Sequence, residues 1–142
     1  MQIITKSEKE TYNFAKKYAK KLEGGEVIGL IGELGAGKTV FVKGLAAGLG
    51  IKKTITSPTF VIMKIYKTTR AKRTQITDLC HIDAYRLRSA NELQALGVEE
   101  YFNRPDTVAV IEWADRIKKI LPKTAKFVKL KSNGGNKRVI NY

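Results

Sequence analysis

Apolar positions along the chain switch between two rhythms, and the switches outline the elements. Residues 2–5 (QIIT) read as a short strand. Ser7, followed three residues later by Glu10, is a capping box and predicts a helix start. Thr11, Phe14, Ala15, Tyr18, Ala19 and Leu22 then recur at helical spacing, with Lys16, Lys17, Lys20 and Lys21 outside that stripe. Gly24 and Gly25 end the helix. Residues 27–31 (VIGLI) are a continuous apolar run and read as a buried strand; 40–49 continue as a helix with Leu45, Ala46 and Leu49 on one side.

Residues 51–59 (IKKTITSPT) have no period and read as a loop ending near Pro58. Residues 60–66 and 75–82 read as two strands joined by the basic turn KTTRAKR. A helix is expected over 89–96, stopped by Gly97. TVAVI at 107–111 is apolar throughout, as an interior strand is. A short helix over 114–120 is closed by Pro122, and 125–130 and 138–142 form a terminal hairpin across SNGGN. This is an α/β pattern. It predicts one domain over 1–142, with a mostly parallel central sheet flanked by helices and carrying antiparallel hairpins.

The segment IGELGAGKT joins the 27–31 strand to the next helix. Gly32, four residues, then Gly37-Lys38-Thr39 fits G-x-x-x-x-G-K-[ST], the spacing of a phosphate-binding loop, in the strand–loop–helix context that motif requires. The residue types follow from the chemistry. Gly32, Gly35 and Gly37 let the backbone curl without side-chain clashes. Its N–H groups and the helix N-terminus then face one anion. Lys38 is placed to reach the β- and γ-phosphates and the Thr39 hydroxyl to sit on Mg²⁺.

Such a metal needs acidic partners at the ends of neighbouring strands. Asp83 follows the run ending CHI, and Glu112 follows TVAVI. Each can bind Mg²⁺ directly, bind it through water, or orient an attacking water. A single strand-end carboxylate is commonly just solvated; two in one short chain point to function. Ser57 and Thr59 of SPT are candidates for a switch loop, with Thr59 toward the γ-phosphate side of the metal. Cys80 and His81, adjacent on a strand, point to opposite faces and read as structural. Thr11, on its helix's apolar stripe, reads as packing.

Composition narrows the setting. At 142 residues and 43% hydrophobic, the chain can build a core. No apolar run approaches the roughly 20 residues of a membrane span. MQIITKSEKE has neither a signal-peptide nor a transit-peptide pattern. One cysteine excludes an internal disulfide and one histidine gives no zinc set; both fit a reducing cytoplasm. Basic residues outnumber acidic ones 27 to 13, giving +14. That excess suggests an anionic partner such as RNA, although lysines spread along the whole chain would give the same total. Lys64, Lys67, Arg70, Lys72 and Arg73 are the densest cluster and a candidate for direct RNA contact.

The nucleotide can be argued by elimination. Asn136-Lys137-Arg138-Val139 begins like the guanine-recognition motif N-K-x-D but lacks its Asp, and no D-x-x-G follows the loop, so ATP is favoured. A small-molecule kinase needs an arginine-bearing lid and an acceptor pocket, for which little chain is left.

GELGAGKT, SPTF, HIDAYRL and IEW, in that order, closely resemble the TsaE family, the ATPase component of bacterial tRNA threonylcarbamoyladenosine synthesis. NELQALGVEEYF is similar as well. The resemblance runs from the first helix to near the C-terminus. It implies a sheet-centred P-loop NTPase that binds ATP and Mg²⁺, hydrolyses ATP slowly, and acts with TsaD and TsaB. In that system TsaD modifies the adenosine beside the anticodon, and this subunit supports turnover without transferring the group. Carried over by position, Glu33, Leu34, Gly35, Ala36, Gly37, Lys38 and Thr39 hold the phosphates. Thr39 and Glu112 bind Mg²⁺, and Asp83 is the Walker-B-like acid with a catalytic role beside Lys38. Trp113 packs near the nucleotide. Glu8, Thr11 and the turn at Gly134 lie near the base, on looser matches. The chain ends soon after its last hairpin, which puts in doubt the partner contacts of longer relatives.

A reading from another class stays open: an ATP-binding regulatory or RNA-binding module whose hydrolysis is incidental. No arginine is evident beside the loop. Arg86, three residues past Asp83, is the nearest candidate for a cis arginine, and docking on a partner is expected to order the 51–59 loop and speed turnover.

Overall fold

The computed structural model describes residues 1–56, 62–69 and 74–142. Seven strands form one sheet. In chain order the elements are β1 (Gln2–Thr5), α1 (Glu8–Ala19), β2 (Val27–Ile31), α2 (Lys38–Gly48), β3 (Met63–Lys67), β4 (Asp78–Asp83), α3 (Ala90–Ala95), α4 (Val98–Phe102), β5 (Thr107–Glu112), a 3₁₀ segment (Ala114–Ile120), β6 (Lys126–Ser132) and β7 (Arg138–Asn141). The strand order is β1-β7-β6-β2-β5-β4-β3.

The expectation of a mostly parallel sheet needs correction. Only β6–β2, β2–β5 and β5–β4 pair in parallel. β1–β7, β7–β6 and β4–β3 are antiparallel, so the parallel character is confined to the four central strands. The reason is the connections. The terminal hairpin returns through a tight turn, which forces antiparallel pairing, whereas β2, β4, β5 and β6 are joined by longer crossovers.

Most elements follow the sequence pattern. Ser7 caps α1, its hydroxyl accepting from the Glu10 N–H at 3.1 Å. The reciprocal half of the capping box lands one residue early, on the Lys6 N–H, at 2.7 Å. The α-helix ends at Ala19, yet 3₁₀-type bonds from Lys21 and Leu22 back to Tyr18 and Ala19 keep Leu22 in the core. The α4 helix does not stand out in the sequence, being too short for a period; Gly97 ends α3 and caps α4 at φ 71°. The expected helix over 114–120 is 3₁₀ and breaks at Ile117, where φ is −128°. Pro122 helps to end it by holding Leu121 in the extended region, at ψ 142°.

Two apolar layers sandwich the sheet. On one face α1 and α2 cover Ile28, Leu30, Val108, Val110 and Leu130. On the other, α3, α4 and the 3₁₀ segment cover Ile82, Ala109 and Ile111. Cys80 lies in the second layer, fully buried, and burial pushes its thiol up to about 12. At the N-terminal end of β4, Asp78 is tied to Lys67 at 2.7 Å and lies 3.6 Å from Arg104. At the C-terminal end of the same strand, Asp83 makes no ion pair among the described residues. No helix among the described residues is long and apolar enough to cross a membrane.

Candidate functional site

The site lies where β2, β4 and β5 end together, the position where open α/β sheets leave a crevice beyond their carboxyl ends. The glycine-rich loop leaves β2 and enters α2 at Lys38. Two of its glycines are required by conformation: Gly35 sits at φ 77° and Gly37, the N-cap of α2, at φ 99°. Gly32 has a different cause. A Cβ there would stand 2.4 Å from the Leu130 carbonyl oxygen of β6, so this glycine lets the loop press against the neighbouring strand. No side chain caps α2, leaving its first N–H groups directed at the cleft mouth.

Lys38 folds back over the loop. Its ammonium donates to the carbonyls of Gly32 and Glu33, the latter at 2.8 Å, and stands 3.8 Å from the centre of the Trp113 ring. Only 5% of the residue is exposed. That burial lowers the ammonium's pKa, opposed by the carboxylates of Glu112, Asp83, Asp115 and Glu33.

Register brings the two acids together. Asp83 and Glu112 are direct partners across the parallel β4–β5 pair. Glu112 is 3% exposed. One carboxylate oxygen accepts from the Thr39 hydroxyl at 3.2 Å, and the other lies 3.3 Å from His81 Nε2. Asp83 accepts the Tyr85 N–H at 3.0 Å. Burial raises the Asp83 pKa, as does Glu112, while the Tyr85 N–H, His81 and Lys38 pull it down.

Trp113 follows Glu112 with φ 58°, the one non-glycine residue with positive φ among those described. An L-residue adopts this region at a cost on the order of 1–2 kcal/mol, and here the turn aims the indole at the cleft. The ring packs against Tyr85, centroids 4.9 Å apart.

The cleft, about 780 Å³ including its open mouth, gathers most of the residues singled out from the sequence. Glu8 and Thr11 line it from α1, while Leu34, Gly35, Gly37, Lys38 and Thr39 line it from the loop and α2. Asp83, Glu112 and Trp113 complete it from the strand ends. Thr11 is also a packing residue, its hydroxyl 2.7 Å from that of Thr5. Three candidates stand elsewhere. Glu33 contributes its carbonyl to Lys38, Ala36 is buried beneath the loop, and Gly134 forms the exposed β6–β7 turn at φ 81°. Ser57, Thr59, Arg70, Lys72 and Arg73 lie outside the described residues.

Three contributors escaped the sequence reading. Arg138 lines the cleft and donates to the Gly35 carbonyl at 3.0 Å and to the Gly135 and Lys137 carbonyls at 2.8 Å. The expectation that no arginine stands beside the loop is therefore corrected: Arg138, not Arg86, lines the cleft. Its proximity depends on β7 pairing with β6, which no local pattern encodes. Asn136, on the same hairpin, also lines the cleft. His81 was read as structural, yet it touches Glu112. The only local signal was its position two residues before Asp83, on the same face of β4.

A mixed α/β sheet with a glycine-rich strand–loop–helix cleft and two strand-end carboxylates defines the class. The family described as "Threonylcarbamoyl adenosine biosynthesis protein TsaE" matches residues 5–140. A Bacillus subtilis (strain 168) protein named tRNA threonylcarbamoyladenosine biosynthesis protein TsaE is 38% identical over 138 residues, covering 97% of this chain and 82% of the relative. A Rickettsia typhi protein of the same name is 40% identical over 134 residues, 94% of this chain and 88% of the relative. The crystal structure of Bacillus subtilis YdiB superposes with a TM-score of 0.79 at 35% identity, covering 99% of this chain and 82% of that one. The chain belongs to the TsaE family.

Proposed function

We propose that this protein binds ATP with Mg²⁺, hydrolyses it slowly, and serves tRNA threonylcarbamoyladenosine synthesis together with TsaD and TsaB. The observation that carries the reading is the convergence of Lys38, Thr39 and Glu112 in one cleft at the uncapped start of α2. Mg²⁺ takes oxygen ligands, using one or two carboxylates besides phosphate and water. The donors fit it: the Glu112 carboxylate and Thr39 hydroxyl would hold it, with Asp83 adjacent, and no all-protein cage of three acids, histidines or cysteines exists among the described residues. When bound, the ion would neutralise charge on the terminal phosphates.

The chain's own groups would do the rest. The loop N–H groups and the α2 N-terminus would cradle phosphate oxygens. Lys38, now satisfied by two loop carbonyls, would exchange those weak partners for phosphate oxygens. Asp83, whose carboxylate burial makes a stronger base than an exposed aspartate, would orient the attacking water and accept its proton. Arg138 would steady the loop through the Gly35 carbonyl. ATP is preferred over GTP because the guanine-recognition Asp is missing after Asn136-Lys137. The names of the relatives support a role in threonylcarbamoyladenosine synthesis; slow turnover alone and stimulation by partners are part of the proposal.

The test is ATP binding by calorimetry and hydrolysis with and without TsaD and TsaB. Wild type should bind ATP in a Mg²⁺-dependent way. Lys38→Ala should keep its far-ultraviolet circular dichroism and lose turnover by about 10²- to 10³-fold. Equal ATP affinity in both proteins would sink the phosphate-loop assignment. Binding with no turnover in any partner mixture would favour a regulatory module.

A further inference from the structure

His81 is fully buried on β4 and its Nε2 lies 3.3 Å from Glu112 Oε1. Its other nitrogen, Nδ1, is buried without a hydrogen-bond partner among the described residues. Nε2 faces a carboxylate oxygen, which accepts, so the proton belongs on Nε2 and is donated to Glu112, leaving Nδ1 as the bare acceptor. A position needing only packing would be better served by leucine, which strands no nitrogen.

We propose that His81 is a positioning residue for the metal-binding carboxylate, fixing Glu112 so that Oε2 stays turned to Thr39 and the cleft. The proposal rests on the reading of the cleft as a Mg²⁺–nucleotide site. A glutamate at a strand end can swing its carboxylate about three side-chain torsions. Here both oxygens are held, Oε1 by the imidazole and Oε2 by the Thr39 hydroxyl at 3.2 Å. The imidazole is rigid and its own place is set by sheet register. His81 pairs with Val110, two residues before Glu112, so it reaches diagonally along the face that also carries Asp83. The carboxylate is thus aimed before any ligand arrives. Outer-shell partners of this kind are worth about 10- to 100-fold in metal affinity.

Gln and Asn separate reach from burial. The Gln amide nitrogen falls near the place of Nε2, and the Asn amide nitrogen near that of Nδ1, while both are polar amides. In His81→Asn the Mg²⁺ concentration at half-maximal nucleotide binding, read by calorimetry, should rise about tenfold or more, and in His81→Gln stay within about threefold. Nucleotide affinity without metal should change little in either, because Lys38 and the loop are untouched. Wild-type Mg²⁺ midpoints in both variants, or equal shifts in both accompanied by an equal fall in thermal midpoint, would overturn the proposal in favour of a structural histidine. Wild-type protein with no Mg²⁺-linked nucleotide binding would instead overturn the underlying reading of the site, and this inference with it.

Discussion

The strands β5 and β6 flank β2 on either side, yet they live in different environments. TVAVIE of β5 is buried at all six positions; KFVKLKS of β6 is buried only at Val128 and Leu130. The first has helices over one face and short helical segments over the other. The second is covered on one face only, and Lys129 and Lys131 stand on the other in solvent. One sheet therefore joins an interior whose strand ends carry acids to a solvated margin, β6 and the antiparallel strands beyond it, with no acidic residue after Asp115. The difference teaches where chemistry can be built. A carboxylate at the end of a doubly covered strand is desolvated and aimed; a lysine on a bare face is only hydrated.

Cutting into the interior strand should produce the largest effect. Ile111→Ala deletes buried atoms between β5 and the 3₁₀ segment and should cost about 2–5 kcal/mol in urea unfolding. A loss below about 1 kcal/mol would show that this interior is less tightly packed than its burial implies. Next comes chemistry at the same strand's end. Glu112→Gln keeps the shape but not the charge, so Mg²⁺-dependent turnover should fall by roughly 10²-fold or more while metal-free nucleotide binding holds. Wild-type turnover at limiting Mg²⁺ would reduce Glu112 to a buried structural charge and make Asp83 the principal acid.

Arg138 sharpens the contrast, because it is the margin's side chain that reaches into the centre through Gly35. Arg138→Ala should lower stability by only about 1 kcal/mol. It should weaken ATP binding severalfold, since the loop loses its tie to the β6–β7 hairpin. Unchanged affinity in titration calorimetry would mean the hairpin merely lies nearby. Smallest of all, Lys131→Ala on the bare face should shift the urea midpoint by less than about 0.5 kcal/mol equivalent. A larger loss would reveal a role for that face which its exposure does not suggest.

What could be read in advance follows the same division. The loop was legible because its motif is local: spacing, an apolar run before it, a helix after it. Asp83 and Glu112 were legible because each directly ends an apolar run. Their mutual register was not, because it depends on β4 lying beside β5, far apart in sequence. The His81–Glu112 contact was hidden for the same reason, being diagonal across that pair. Arg138 required β7 to fold back beside β6 and β6 to pair with β2. The left-handed turn at Trp113 ran against local preference, since an aromatic residue gives no sign of positive φ. The overestimate of parallel pairing arose because strand directions follow from crossovers, which apolar rhythm does not report.

Cys80 turns β4 into its own stopwatch. It is the sole sulfhydryl in the chain, sealed in the second apolar layer on the face of β4 opposite His81 and Asp83, with its ionisation pushed far above neutrality. Alkylating reagents attack the thiolate, so they must wait for the strand to open. Each labelling event then marks an opening of the layer over β4, with no engineered tag. Mass spectrometry of the alkylated fraction over time would follow how readily that layer opens behind the strand that carries the cleft's acids, and whether nucleotide keeps it shut.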